Sequence, residues 1–282
     1  FHNKGMDVYV KALGELNRLL AAEGSTKTVV SFFWVPAEVS GVNEKLSRYR
    51  EVFNDIQNSI EEVEEEVEDA MLYSLIAEED VKVSQLFGED MISSLKRKIR
   101  ELKTEDPLPP LATHNVSNPH DQILKSFREH GLLNRKEDKV KVIFYPIYTH
   151  GADGLLNLEY YECIQGSHLG VFPSFYEPWG YTPLESAALG VSSVTTDLSG
   201  FGRYFKSELA GKENPGVYVI ERLGKTDEDV TRVLTEVLWR YASYSRRERV
   251  ENKIAAYGLA AKADWSVFVK SYFEAHEKAL HK

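Results

Sequence analysis

Two glutamates, Glu177 and Glu185, stand eight positions apart in the string YEPWGYTPLE. The apolar run Leu169–Phe172 ahead of them reads as a buried strand, which Pro173, Ser174, Pro178 and Gly180 then break. Thr182-Pro183-Leu184-Glu185 has the form of a helix start, with Thr182 as cap, Pro183 at the first position and Glu185 at the third. In a parallel α/β sheet such a strand–loop–helix lies at the carboxyl edge, where ligands bind, and the free N–H groups of the helix start favour an anion such as phosphate. A phosphorylated ligand is therefore expected here. The same residues also admit a plain structural reading, with Glu185 closing a capping box and Glu177 an ordinary loop carboxylate.

The elements that must carry this loop alternate along the chain. Val10, Leu13, Leu16 and Leu20 have helical spacing up to Gly24, and Thr28–Val35 reads as a buried strand. Ile123, Leu124 and Phe127 mark a helix closed near Gly131, which leads to a strand at Val140–Tyr145. Beyond Gly202 come a helix, a strand at Val217–Ile220, a helix ending near Tyr241 and a last helix at Trp265–Leu280. This alternation predicts an α/β fold, a Rossmann-like parallel sheet with carboxy-terminal helices. The expected boundaries are residues 1–40 and 106–264 for that domain and 265–282 for the terminal helix.

Residues 41–105 break the alternation and predict an inserted helical hairpin. Tyr49, Phe53, Ile56, Ile60, Val63, Val67 and Ala70 follow steps of four and three, with glutamates at 61, 62, 64, 65, 66 and 68 off that seam. Ile92, Leu95, Ile99 and Leu102 repeat the spacing in a second helix. The seam has coiled-coil spacing and needs a partner, either the second helix or another subunit. Pro107, Pro109 and Pro110 end the insertion, and the chain is expected to return to the sheet at Leu111–Asn115, where His114 reads most simply as a structural histidine.

With 282 residues, of which 43% are hydrophobic, the chain can bury a substantial core. A net charge of -10 argues against nucleic acid and against an anionic membrane surface as partners, so a phosphate site must be a local basic pocket. Arg246, Arg249 and Lys253 share a helix face, with Arg247 beside them, and offer such a pocket or simply a solvated, ion-paired surface. Lys4, alone near the start, is by default surface. The single Cys163 and the scattered histidines lack zinc spacing, so no metal is expected. That lone cysteine fits a reducing compartment, no run is long enough to cross a membrane, and FHNKGMD has no apolar leader core, so a cytoplasmic protein is expected. Phe1 is not an initiator methionine, and the chain reads as starting inside a larger protein.

The string YEPWGYTPLE resembles the Glu-x7-Glu motif of retaining glycosyltransferases of the two-domain GT-B type. The whole stretch from Val171 to Gly202, through SGFG, is similar to the glycogen synthases of animals and fungi. NKGMD at residues 3–7 is similar as well, and the likeness runs to about Lys282, over the donor-binding, carboxy-terminal half of that family. The resemblance implies transfer of glucose from UDP-glucose to the non-reducing end of an α-1,4-glucan, with retention of configuration and no metal. On that resemblance Lys4 neutralises the leaving diphosphate, Glu177 orients the glucose hydroxyls and Glu185 holds the ribose. Gly180, Tyr181 and Thr182 supply donors at the helix start, while Tyr160 stacks on uracil and Tyr148 flanks it.

The family's amino-terminal domain, which holds the acceptor, and a Gly-Arg pair just upstream of NKGMD have no counterpart in this sequence. Half a catalyst, inactive alone, is therefore expected. The insertion is similar in position to one that builds a tetramer, which implies a homo-oligomer contact through residues 41–105, and the basic helix to one that binds glucose 6-phosphate, although Ala255 and Gly258 stand at its later basic positions. Two alternatives stand beside this reading: a related transferase using ADP-glucose or another acceptor, and a non-catalytic sugar-nucleotide-binding or assembly module.

Overall fold

The structure, a computed structural model, describes residues 1–81, 86–105 and 108–281, with the side chains of 101–105 excepted. Among these residues the chain forms two compact units, Phe1–Ala37 with Asn118–Lys282, and Glu38–Ser117.

The larger unit opens with a single 3-10 turn, His2–Lys4, and helix α1 (Met6–Ala22). Val8, Val10, Leu13, Leu16 and Leu20 form the buried stripe of α1 that the spacing predicts. Strand β1 (Val29–Trp34) follows, but it is not buried on both faces as expected. Ser31 and Phe33 are buried, whereas Val30 and Phe32 are exposed, because only the first pair lies against the core. The chain returns from the second unit to helix α5 (Gln122–Glu129), capped by Asp121, and strand β4 (Val140–Tyr145), which pairs in parallel with β1 from Val29↔Val140 to Trp34↔Tyr145.

A second parallel sheet contains β5 (Leu169–Val171), β6 (Ser192–Thr196) and β7 (Val217–Ile220) in that order. Its connections are α7 (Tyr181–Ala188) and α8 (Gly200–Leu209), and a short α6 (Tyr160–Gln165) precedes β5. Three helices close the unit: α9 (Asp227–Ser243), α10 (Arg246–Lys262) and α11 (Trp265–Leu280). Phe201, Phe205, Val217, Ala256 and Leu259 form one buried cluster between α8, β7 and α10. Each such ring or branched side chain contributes roughly 1.5–3 kcal/mol on burial. On α11, Phe268 packs against Trp179 and Tyr204, while Trp265, Tyr272, Phe273 and Leu280 are exposed.

The second unit holds α2 (Glu44–Glu61), α3 (Glu64–Ile76) and α4 (Glu89–Glu105), with the short strands β2 (Val39–Val42) and β3 (His114–Val116). The predicted long first helix is interrupted: Glu62 ends α2, and Val63 sits at φ -119° ahead of α3. Helices α2 and α4 pack together, joined by a Lys98–Asp55 ion pair. Among the described residues no seam side chain is fully buried, and Phe53 is 63% exposed. The side chain of Leu102, and Pro107 and Lys282, lie outside the described residues. The expected return to the parallel sheet at Leu111–Asn115 does not occur. Instead β3 pairs antiparallel with β2, and the buried His114 lies 2.9 Å from Thr113 Oγ1 through its Nδ1.

Candidate functional site

Helix α7 starts two residues earlier than the sequence suggests. Gly180, at φ 104°, is the N-cap, no side chain caps the helix, and Thr182 falls inside the first turn. A side chain at Gly180 would place its Cβ 2.7 Å from Ser199 Oγ, so both its conformation and its packing call for glycine. The capping-box reading of Glu185 is thereby removed. Its Oε2 instead accepts a hydrogen bond from Tyr160 Oη at 2.8 Å, across 25 residues. Burial, and then this carboxylate, push the Tyr160 hydroxyl well above the usual tyrosine range, so the ring stays neutral.

The loop before α7 is tied down along its length. Trp179 packs on Phe201, Tyr204 and Phe268, and its carbonyl accepts from Ser199 Oγ and Phe201 N, each at 2.7 Å. Glu177 bridges to Ser199 in parallel fashion, and Gly200 N donates to the Glu177 carbonyl at 3.2 Å. A Cβ on Gly200 would lie 2.4 Å from the Pro178 carbonyl, and one on Gly202 would lie 2.1 Å from that of Thr196. The SGFG segment is thus the backing on which YEPWG is laid.

The opposite wall comes from the start of the chain. Phe175 N donates to the Asn3 carbonyl at 2.9 Å, and Lys4 Nζ pairs with Glu177 Oε2. Gly5, at φ 69°, leaves no room for a side chain, since a Cβ would lie 2.0 Å from the Pro173 carbonyl. Arg222, which the sequence reading passed over, sits beneath this junction. It is 2% exposed, donates to the Pro173 carbonyl and to Asp227 at 2.9 Å, and lies 5.2 Å from the centre of the Phe175 ring. No spacing motif marks it, because its partners come from two separate segments, 173–175 and Asp227.

Lys4, Tyr160, Glu177 and Thr182 line one groove of about 1380 Å³. The Lys4 side chain is 56% exposed, and an exposed ion pair of this kind is worth only about 0–1 kcal/mol, so an incoming anion can take the ammonium at small cost. Tyr181 is 71% exposed beside the helix start. Tyr148 is not drawn in: it is 79% exposed, with no hydrogen bond or ring contact among the described residues. The basic helix divides. Arg247 turns to Glu251 at 2.8 Å and Arg249 donates to the Tyr244 carbonyl at 2.7 Å. His168 lines the groove together with Arg249. Burial, then the charges of Arg249 and Lys253, push its imidazole below its ordinary range.

One cluster of metal-ligand types escaped the spacing argument: His2, Asp7 and Asp227, whose ligand atoms lie within 4.8 Å of one another. They are already engaged, His2 with Asp7 and Asp227 with Arg222. No described helix is long and apolar enough to cross a membrane.

Comparison with known proteins gives the site a context. The family described as "Glycogen synthase" matches residues 1–282. The "Glycogen [starch] synthase" of Dictyostelium discoideum is 33% identical over 282 residues, all of this chain and 32% of the relative. The "Glycogen [starch] synthase, liver" of Mus musculus is 34% identical over 99% of this chain and 40% of its own length. The Caenorhabditis elegans "Glycogen [starch] synthase" is 33% identical over 100% and 42%. Among solved structures, alpha,alpha-trehalose 6-phosphate synthase from Burkholderia multivorans aligns with 97% of this chain and 49% of its own, at 11% identity and a TM-score of 0.39. The chain spans between a third and about two-fifths of the length of these curated relatives. A match that runs unbroken through NKGMD, YEPWGYTPLE and SGFG, from the first residue to the last, means that the chain belongs to the glycogen synthase family.

Proposed function

We propose that this chain is the donor-binding half of a UDP-glucose-dependent glycogen synthase, one half of a GT-B fold. The observation that carries the reading is the meeting of Lys4 and Glu177, 173 residues apart, in the groove that Tyr160 and Thr182 also line. Glucosyl transfer with retention passes through an oxocarbenium-like state that leaves a diphosphate, so catalysis needs positive charge and N–H donors at the phosphates. Lys4 supplies the charge and the backbone of Gly180, Tyr181 and Thr182 the donors, reinforced by the helix dipole. Glu177, released from Lys4 by the diphosphate, turns to the glucose hydroxyls. Glu185, held by Tyr160, takes the ribose, and the Tyr160 ring faces the uracil, with Tyr148 closing over the other side. This differs from hydrolysis, where two carboxylates flank the scissile bond as acid and base. The acceptor glucan is bound by the amino-terminal half of the longer protein, toward which the exposed face of α11 turns.

Titration calorimetry with UDP tests this, with Glu185→Ala and ADP as comparisons. Saturable UDP binding, weakened by the substitution and unchanged by EDTA, is the expected result. Equal affinity for ADP would point to another donor, and no binding by a folded chain would favour an assembly module. The exposed Leu72, Tyr73, Leu75 and Ile76 of α3 support self-association through residues 41–105, and a tetramer, in a cytoplasmic enzyme. Arg246, Arg249 and Lys253, with His168 facing two of them, suit an allosteric phosphate ligand such as glucose 6-phosphate.

A further inference from the structure

Arg222 carries its charge out of contact with solvent. Its side chain is 1% exposed, Nη1 donates to the Pro173 carbonyl and Nη2 to Asp227 Oδ1 at 2.9 Å. Its Nε is buried with no hydrogen-bond partner among the described residues. A guanidinium in a protein is always charged, and taking it out of water is costly unless its donors are met. A neutral amide could hold the Pro173 carbonyl at smaller cost. The hydrogen bonds of Arg222 account for a strut, and they leave its charge without a use.

The place of that charge is fixed at both ends of the residue. Just beyond β7, Asp197 Oδ1 accepts from Arg222 N at 2.7 Å and from Leu223 N at 3.2 Å, while Asp197 Oδ2 pairs with Lys206 at 3.0 Å. At the other end the guanidinium meets both walls of the groove. Pro173 and Phe175 belong to the loop that leads to Glu177, and a Cβ on Gly5, the neighbour of Lys4, would lie 3.0 Å from Nη1. The residues that Arg222 touches thus stand one position from Lys4 and two from Glu177, the pair at the centre of the groove. Asp227 offsets the charge only in part. Its side chain is 45% exposed, so water screens the carboxylate more than the guanidinium, and the pair leaves a positive potential on the protein side.

We propose that Arg222 is a positioning residue for the donor diphosphate, a fixed buried cation that joins the two walls of the groove and adds its field to that of Lys4. The inference rests on the reading of this groove as the site of a sugar nucleotide. On a chain of net charge -10 an anionic ligand needs local positive charge, and the two cations divide that work. Lys4, 56% exposed, is free to meet the phosphates directly. Arg222 does not touch them; it acts through its charge and through the placement of Gly5 and Phe175.

Calorimetry with UDP and an NMR titration with uridine test this on the unmodified chain and on Arg222→Met, Arg222→Lys and Asp227→Asn, with a urea melt of each to establish folding. Arg222→Met is expected to weaken UDP binding by about fivefold or more and uridine binding by less than about twofold, since only the first ligand carries charge. Arg222→Lys keeps the charge and is expected to recover most of the loss. Asp227→Asn removes the opposing charge at an accessible position and is expected to tighten UDP binding by about twofold. That variant decides the matter if neither Arg222 variant folds. Equal losses for UDP and uridine in Arg222→Met, or unchanged or weaker UDP binding by folded Asp227→Asn, would overturn the proposal and leave Arg222 a strut. Absence of UDP binding by the unmodified chain would instead remove the reading of the groove, and the proposal with it.

Discussion

The hydrogen bond from Tyr160 decides what the Glu185 carboxylate is left free to do. Had Glu185 capped α7, its carboxylate would be spent on the backbone; instead it accepts from Tyr160, which lines the groove. Tyr160→Phe keeps the ring and removes only that bond. It is expected to weaken UDP binding by about fivefold to tenfold, near the 1 kcal/mol of an ordinary hydrogen bond, with little change in unfolding free energy. Calorimetry and a urea melt on the same variant check both halves. His168 carries the pH dependence at this scale. Its folded-state pKa is depressed, chiefly by burial and then by Arg249 and Lys253, so the neutral ring is favoured on folding. That contribution is fully present above the unfolded value of about 6.5 and is lost as pH falls through the window below it. Urea melts from pH 7.5 to 5 are expected to show a decline that His168→Gln reduces, the remainder coming from His130, whose pKa burial also lowers. Inorganic phosphate on the basic face would raise the His168 pKa, which its ring proton shift reports.

At the scale of elements, the glycines around SGFG decide whether the loop, α7 and α8 fit together. Gly202→Ala would drive a Cβ to 2.1 Å from the Thr196 carbonyl, backbone that cannot move without shifting β6, and is expected to cost about 1–3 kcal/mol or more. Gly258 in α10 has nothing within 4 Å of such a Cβ, and there Gly258→Ala is expected to stabilise the helix by about 0.5–1 kcal/mol. Opposite shifts in the two denaturation midpoints would confirm that close approach, not glycine content, governs this region. The interruption at Val63 belongs to the same scale. It splits the predicted long helix, so α3 presents its apolar side chains on a separate segment.

At the scale of the whole molecule, α3 and α11 each expose several large apolar side chains, among them Leu72, Leu75 and Ile76 on α3 and Trp265, Tyr272 and Phe273 on α11. Surface of this kind is where contact with other protein is to be tested. If residues 41–105 drive self-association, sedimentation velocity is expected to show a concentration-dependent oligomer that Leu72→Glu with Leu75→Glu shifts to monomer, leaving UDP affinity unchanged. A dissociated variant that also lost UDP binding would instead couple the two units.

Local pattern alone determined much of this fold, because a helix or strand with one buried face writes its period into neighbouring residues. The strands Val140–Tyr145 and Val217–Ile220 and the helix Trp265–Leu280 lie where the sequence places them. The family was equally legible, since NKGMD and YEPWGYTPLE are contiguous strings. The start of α7 was not: Thr182 and Pro183 satisfy every local rule for a cap, yet Trp179 is anchored in a distant aromatic cluster and Gly180 turns the chain early. Nor could spacing show that β3 leaves the parallel sheet for β2, that Lys4 reaches Glu177, or that Arg222 ties Pro173 to Asp227 beneath them. Those arrangements depend on contacts between residues far apart in the chain, which carry no periodic signature and exist only once the sheets and helices have packed.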